Sequence, residues 1–184
     1  MQKIMLTSTG FNNKNIKERF LELVNIPADK IKVIFIPTAA ITEEAKEIIP
    51  ICKNELLNAG ILENNIYTYD LDRIMSSNEI CNFNAIYVCG GDPQHLLNKM
   101  NKTEFYLPLK KFLDNGGVYL GVSAGSIVLS KNLSNNLEYI NCTLSVHSNE
   151  GTECGDINAN DCPKIKLTDN QAIVITDNDI VIIE

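Results

Sequence analysis

Along this chain, short strand-like runs, most of them strongly apolar, alternate with stretches whose apolar residues fall at helical spacing. Residues 3–8 (KIMLTS), 32–37 (KVIFIP), 66–71, 85–89 (AIYVC) and 118–122 (VYLGV) are the runs. The clearest of them, such as 32–37, are too apolar to keep a wet face, which predicts strands buried on both sides of a parallel sheet. Between the runs, Ile16, Phe20, Leu21 and Val24 share one face of a helix over 15–24. A second helix is expected over 42–60, opened by a Thr42 cap with Glu43 and Glu44 behind it and closed at Gly60. Shorter helices are predicted at 76–81 and 105–114, the latter stopped by Gly116 and Gly117.

Strands alternating with helices imply an α/β fold, a three-layer α/β/α sandwich around a mostly parallel central sheet. From Leu137 the pattern becomes β-rich, and 171–183 (QAIVITDNDIVII) reads as a C-terminal β-hairpin turning at Asp177 and Asn178. No repeat, linker or low-complexity stretch interrupts the chain, so residues 1–184 read as one domain. Such sheets bind ligands beyond the carboxyl ends of their strands. The turns leaving 85–89 and 118–122 are therefore where chemistry is expected.

The turn after 118–122 runs Gly121, Val122, Ser123, Ala124, Gly125, the spacing G-x-S-x-G. That spacing lets a strand bend sharply into a helix with the middle hydroxyl lifted clear of the sheet. Ser123 could then serve as a nucleophile, and the Ala124 N–H at the helix start as half of an oxyanion hole. A plain structural account also exists, since serine caps helices and glycines gather at tight turns. The other turn, Gly90-Gly91-Asp92-Pro93, has a natural N-cap in Asp92 and a proline where a missing N–H matters least. Two adjacent glycines there would leave backbone donors bare, as a developing oxyanion needs.

Charge and composition narrow the field. Sixteen Lys and Arg stand against 23 Asp and Glu, a net charge of -7, which argues against nucleic-acid binding. No apolar run approaches the roughly 20 residues of a membrane span, and Met1-Gln2-Lys3 opens no signal-peptide pattern, so a cytoplasmic protein is expected. Cys142, His147, Cys154 and Cys162 lie near one another, but their spacing fits no metal-site pattern. No metal and no organic cofactor are expected.

Taken together, strand-GG-x-x-x-x-LL, strand-G-x-SAGS-helix and a late LTDNQAIVI resemble the peptidase E family of serine peptidases. These are aspartyl dipeptidases, with cyanophycinases as relatives, on a fold similar to the class I glutamine amidotransferases. The resemblance runs from IPTAA (36–40) to the final hairpin. It implies Ser123 as nucleophile and the backbone amides of Gly91 and Ala124 as the oxyanion hole. The family's histidine follows the serine at a strand end, and the matching position is His147, with Val146 where proline is usual. Elimination agrees, because a serine hydroxyl needs a neighbouring base and the chain's other histidine is His95, just after the GG turn. The family's order places an acid between serine and histidine, which implies Glu138, with Glu150 as the fallback.

Some positions depart from the family. Its GG turn continues with Asn-Thr, whereas here Asp92 and Pro93 follow, leaving Gly90 and Asp92 as substrate-side candidates. Its aspartyl-specific members hold the substrate carboxylate with an arginine after the histidine. No arginine follows Arg73 here, and Lys164 or Lys166 could substitute only as point charges. Residues 147–162, short and rich in Gly and Asn, are expected as a trimmed, mobile loop on the substrate side. The expectation is a small, dipeptidase-like serine peptidase acting on short peptides by an acyl-enzyme route. The alternatives left open are a non-catalytic binding relative and a small esterase, and self-association into a homodimer is also left open.

Overall fold

The computed structural model describes residues 2–158, 164–177 and 179–184. Ten strands and seven α-helices are described: β1 (Lys3–Thr7), α1 (Lys14–Val24), β2 (Val33–Ile36), α2 (Glu43–Lys46), α3 (Ile48–Asn58), β3 (Ile66–Thr68), α4 (Ser77–Ile80), β4 (Ala85–Val88), α5 (Pro93–Lys102), α6 (Tyr106–Asp114), β5 (Val118–Val122), α7 (Ala124–Ile127), β6 (Thr143–Ser145), β7 (Gly155–Ile157), β8 (Lys164–Lys166), β9 (Ala172–Thr176) and β10 (Asp179–Ile183). Eight strands form one sheet in the order β3-β2-β4-β5-β1-β9-β10-β7. The first five are parallel, and β9, β10 and β7 extend the sheet by antiparallel pairing. The expected hairpin is β9 and β10; Asn178, at its turn, lies outside the described residues.

The layers follow from the two-residue period of the buried strands. Ile4, Leu6, Ile34, Ile36, Ile86, Val88 and Tyr119 point to one face, where α5, α6 and α7 cover them with Leu96, Leu97, Leu109, Phe112 and Ala124. Met5, Val33, Phe35, Ala85, Tyr87, Val118 and Leu120 point to the other, packed by Ile16 and Phe20 of α1 and Leu56 of α3.

The helix expected over 42–60 is two helices. Its Thr42 cap forms, the hydroxyl accepting from Ala45 N at 3.1 Å, but the helix breaks at Glu47. Pro50 is the cause: it has no N–H to give the Lys46 carbonyl, and its ring collides with the carbonyl four residues back. Glu47 between the two helices keeps helical dihedrals (φ -63°, ψ -22°), and one face of α3 lines the candidate site. Residues 147–158 are also tied down more firmly than expected. Thr152 N donates to Lys166 O at 2.8 Å, Gln171 Nε2 donates to Thr152 O at 2.9 Å, and β7 pairs with β10. The remainder of that expected loop, 159–163 with Cys162, lies outside the described residues.

Candidate active site

Ser123 stands between β5 and α7 with φ 47° and ψ -102°, a region that side-chain-bearing residues rarely occupy. Such strain costs on the order of 1–3 kcal/mol and persists only where the surroundings enforce it. Here they do. Ser123 N donates to Thr7 O at 2.9 Å, and Tyr119 OH donates to Gly125 O at 2.6 Å. The buried Ser126 hydroxyl lies 2.8 Å from the carbonyls of both Thr7 and Gly121 and accepts from Thr7 N at 3.0 Å. Small residues let strand and helix close up. A Cβ on Gly121 would sit 2.5 Å from Gly125 O, and one on Gly125 the same distance from Val88 O.

Ser126→Ala would strand the buried Thr7 N–H, at an expected cost of about 2 kcal/mol. At this chain length that is a fall in Tm of about 4–8 °C, read by thermal denaturation. An unchanged Tm would show that the hydroxyl does not hold the elbow.

The GG turn lies against the elbow. A Cβ on Gly90 would meet Ser123 Cβ at 3.3 Å, so its absence keeps space open beside the hydroxyl. Gly91 has φ 137°, and a Cβ there would lie 2.1 Å from Ala39 O, so only glycine fits. Ala124 N is the first amide of α7 and has no carbonyl within the helix to bond. Among the described residues, neither this N–H nor that of Gly91 donates to a protein acceptor.

Opposite the elbow, β6 and β8 pair in parallel, with Ser145 beside Lys166. Both strands therefore leave the pair in the same direction, and the residues just beyond them become neighbours. Those residues are His147, at φ 54°, and Asp169. His147 Nε2 lies 3.1 Å from Ser123 Oγ, and Nδ1 lies 2.7 Å from Asp169 Oδ1. The end of β1 holds both: Ser8 Oγ accepts from His147 N at 3.2 Å, and Thr9 Oγ1 donates to Asp169 O at 2.8 Å.

The carboxylate facing the imidazole is thus Asp169 rather than Glu138 or Glu150. Glu138 is exposed in the loop after α7, where Leu137 N and Ile140 N bond to Val128 O and Leu129 O, at the end of α7 opposite Ser123. Glu150 is exposed, and the imidazole's Nδ1 already faces Asp169. His95 lines a different cavity, with Thr38, Asp70 and Lys99. Asp92 caps α5, accepting from His95 N at 2.8 Å, so its carboxylate is used in the helix. Lys164 and Lys166 are exposed on β8 and do not line the cavity at Ser123. Among the described residues no cluster of His, Cys, Asp and Glu could hold a metal ion, and no helix is long and apolar enough to cross a membrane.

A cavity of about 340 Å³ opens onto Ser123. Gly90, Gly91 and His147 line it beside the serine, and Ile48, Ile51 and Glu55 of α3 form a wall.

The sequence model of peptidase family S51 matches residues 4–145, a span containing both glycine turns and the whole elbow. The chain belongs to peptidase family S51. The family match ends at residue 145, so neither His147 nor Asp169 lies within it. Among curated relatives, an uncharacterized peptidase of Listeria monocytogenes is 31% identical over 136 residues, covering 73% of this chain and 63% of its own. An uncharacterized peptidase of Pasteurella multocida is 28% identical over 135 residues, 72% of this chain and 62% of its own. Peptidase E of a Nostoc species is 30% identical over 125 residues, 64% of this chain and 49% of its own. The chain thus spans about three fifths or less of the length of the curated relatives it matches. The fold is also that of a Listeria monocytogenes EGD-e protein provisionally described as peptidase E, with TM-score 0.77 and 22% identity over 100% of this chain and 98% of that one.

Proposed function

We propose that this S51 chain is a serine-type peptidase that cleaves short peptides through an acyl-enzyme. The observation that carries the proposal is the continuous line from Asp169 Oδ1 through His147 to the strained Ser123 Oγ, with contacts of 2.7 and 3.1 Å. Asp169 accepts from Nδ1–H and so selects the tautomer whose Nε2 is free to take a proton. Ser123 Oγ attacks the scissile carbonyl while His147 Nε2 takes its hydrogen. The resulting oxyanion is received by the Gly91 and Ala124 amides. Collapse breaks the C–N bond as the imidazolium returns the proton to the leaving amine. Water, deprotonated by the same imidazole, then attacks the ester, and Ser123 leaves with its proton restored.

Asp92, which stands where the family has asparagine, is consistent with this reading, because its carboxylate is engaged as the cap of α5. The test is treatment with a fluorophosphonate, followed by mass spectrometry of the labelled peptide and incubation with a panel of dipeptides and p-nitrophenyl esters. The expected result is one adduct at Ser123 and release of free amino acids from dipeptides. No adduct at Ser123 would overturn the proposal; turnover of the esters alone would make the protein an esterase.

A further inference from the structure

The wall that α3 gives to the cavity has an uneven chemistry. Ile48, Ile51, Cys52 and Glu55 follow at spacings that place them on one helical face, and all four line the cavity shared with Ser123 and His147. Ile48 and Ile51 remain 40% and 58% exposed, an apolar strip open to solvent. One turn further along stands the Glu55 carboxylate. Its Oε2 is fixed by two donors, Tyr87 OH at 2.6 Å and Phe11 N at 3.0 Å. Gly10 closes against the same oxygen, where a Cβ would lie 2.3 Å away. Among the described residues no Lys, Arg or His forms an ion pair with this carboxylate, and burial pushes its pKa up despite the two donors. The cavity is thus lined by a fixed, half-buried acid and an aliphatic strip on one helical face, and no arginine or lysine lines it.

We propose that the cavity binds a cationic group of the peptide substrate, with Glu55 as its partner and Ile48 and Ile51 against the chain that carries it. The proposal rests on the reading of this cavity as the peptide site. The cation is either the ammonium or guanidinium of a basic side chain or the peptide's own α-ammonium. A carboxylate already held by two donors is pre-organised to accept it, and a cation beside a half-buried acid meets less solvent than on an open surface. The same acid repels an aspartyl side chain, so preference is set by exclusion as well as attraction.

The test is calorimetric binding of Lys-Ala, Arg-Ala, norleucine-Ala, Asp-Ala and N-acetyl-Lys-Ala to the full chain carrying Ser123→Ala, which needs no turnover. Lys-Ala is expected to bind about tenfold or more tightly than the uncharged analogue that lacks the responsible cation. A loss with norleucine places the side-chain cation at Glu55, and a loss on acetylation places the α-ammonium there. Either preference is expected to shrink to about threefold or less when Glu55→Gln is added, an isostere that still accepts from Tyr87 and Phe11. Equal binding of Lys-Ala, norleucine-Ala and N-acetyl-Lys-Ala, or tighter binding of Asp-Ala, would overturn the proposal on the parent protein alone. Wild-type protein that labels at Ser123 without cation preference would sink this subsite and leave the hydrolase reading intact. Protein that shows the preference but never labels would do the reverse.

Discussion

Alanine at either Ser123 or His147 is expected to lower kcat/KM on the best peptide by about 10⁴–10⁶-fold, and the double variant to be no worse than either single one. The reason is that in the proposed mechanism the two act as a unit. Without imidazole at 3.1 Å the hydroxyl keeps its proton at the moment of attack, and without the hydroxyl the imidazole has nothing to activate. The residual rate would come from the donors at Gly91 and Ala124 and from substrate binding alone. Steady-state kinetics with fluorophosphonate occupancy would check this. Effects that multiply in the double variant would mean that Ser123 and His147 act in separate steps.

The second large effect separates two carboxylates. Asp169→Asn is expected to reduce kcat by about 10³–10⁴-fold, while Glu138→Gln changes it by about twofold or less. An amide at 169 can donate to Nδ1, which turns the proton onto Nε2 and leaves the face toward Ser123 without a base. The substitution keeps the volume and the backbone contact from Thr9, so folding should survive, as Tm would show. A stronger effect from Glu138→Gln would restore the acid that family order implies and displace the one that geometry implies.

The difference between those two residues shows what a sequence makes legible. Parallel strands buried on both faces announce themselves as apolar runs, so the order of β1, β2, β4 and β5 along the chain could be read directly. The elbow was legible because its spacing is local: Gly121 is demanded by Gly125 O four residues on, although Gly125 itself is demanded by Val88 of the neighbouring strand. Asp169 is different, since its partner comes from the parallel pairing of β6 with β8, two three-residue strands too short to carry a period. A signal was nonetheless present: Asp169 lies in the LTDNQ stretch that helped suggest the family, in a turn tied by Thr168 and Gln171 just before β9. The assumption of serine, acid, histidine order hid it. The division of α2 from α3 was also signalled, by Pro50, although Thr42 and Gly60 suggested a single span. The wall of the cavity was out of reach, because α3 meets the loop after β1 through Glu55 and Phe11, 44 residues apart.

β1 sits between β5 and β9, and Gln2 N reaches Asp177 Oδ1 across 175 positions. In chain order the elbow is complete once α7 has been made, yet the imidazole and its acid arrive only with the segments that follow. Pairings so distant in sequence form slowly and late. On the mechanism proposed above, the growing polypeptide would carry a shaped but unarmed serine until the segments bearing His147 and Asp169 dock beside it.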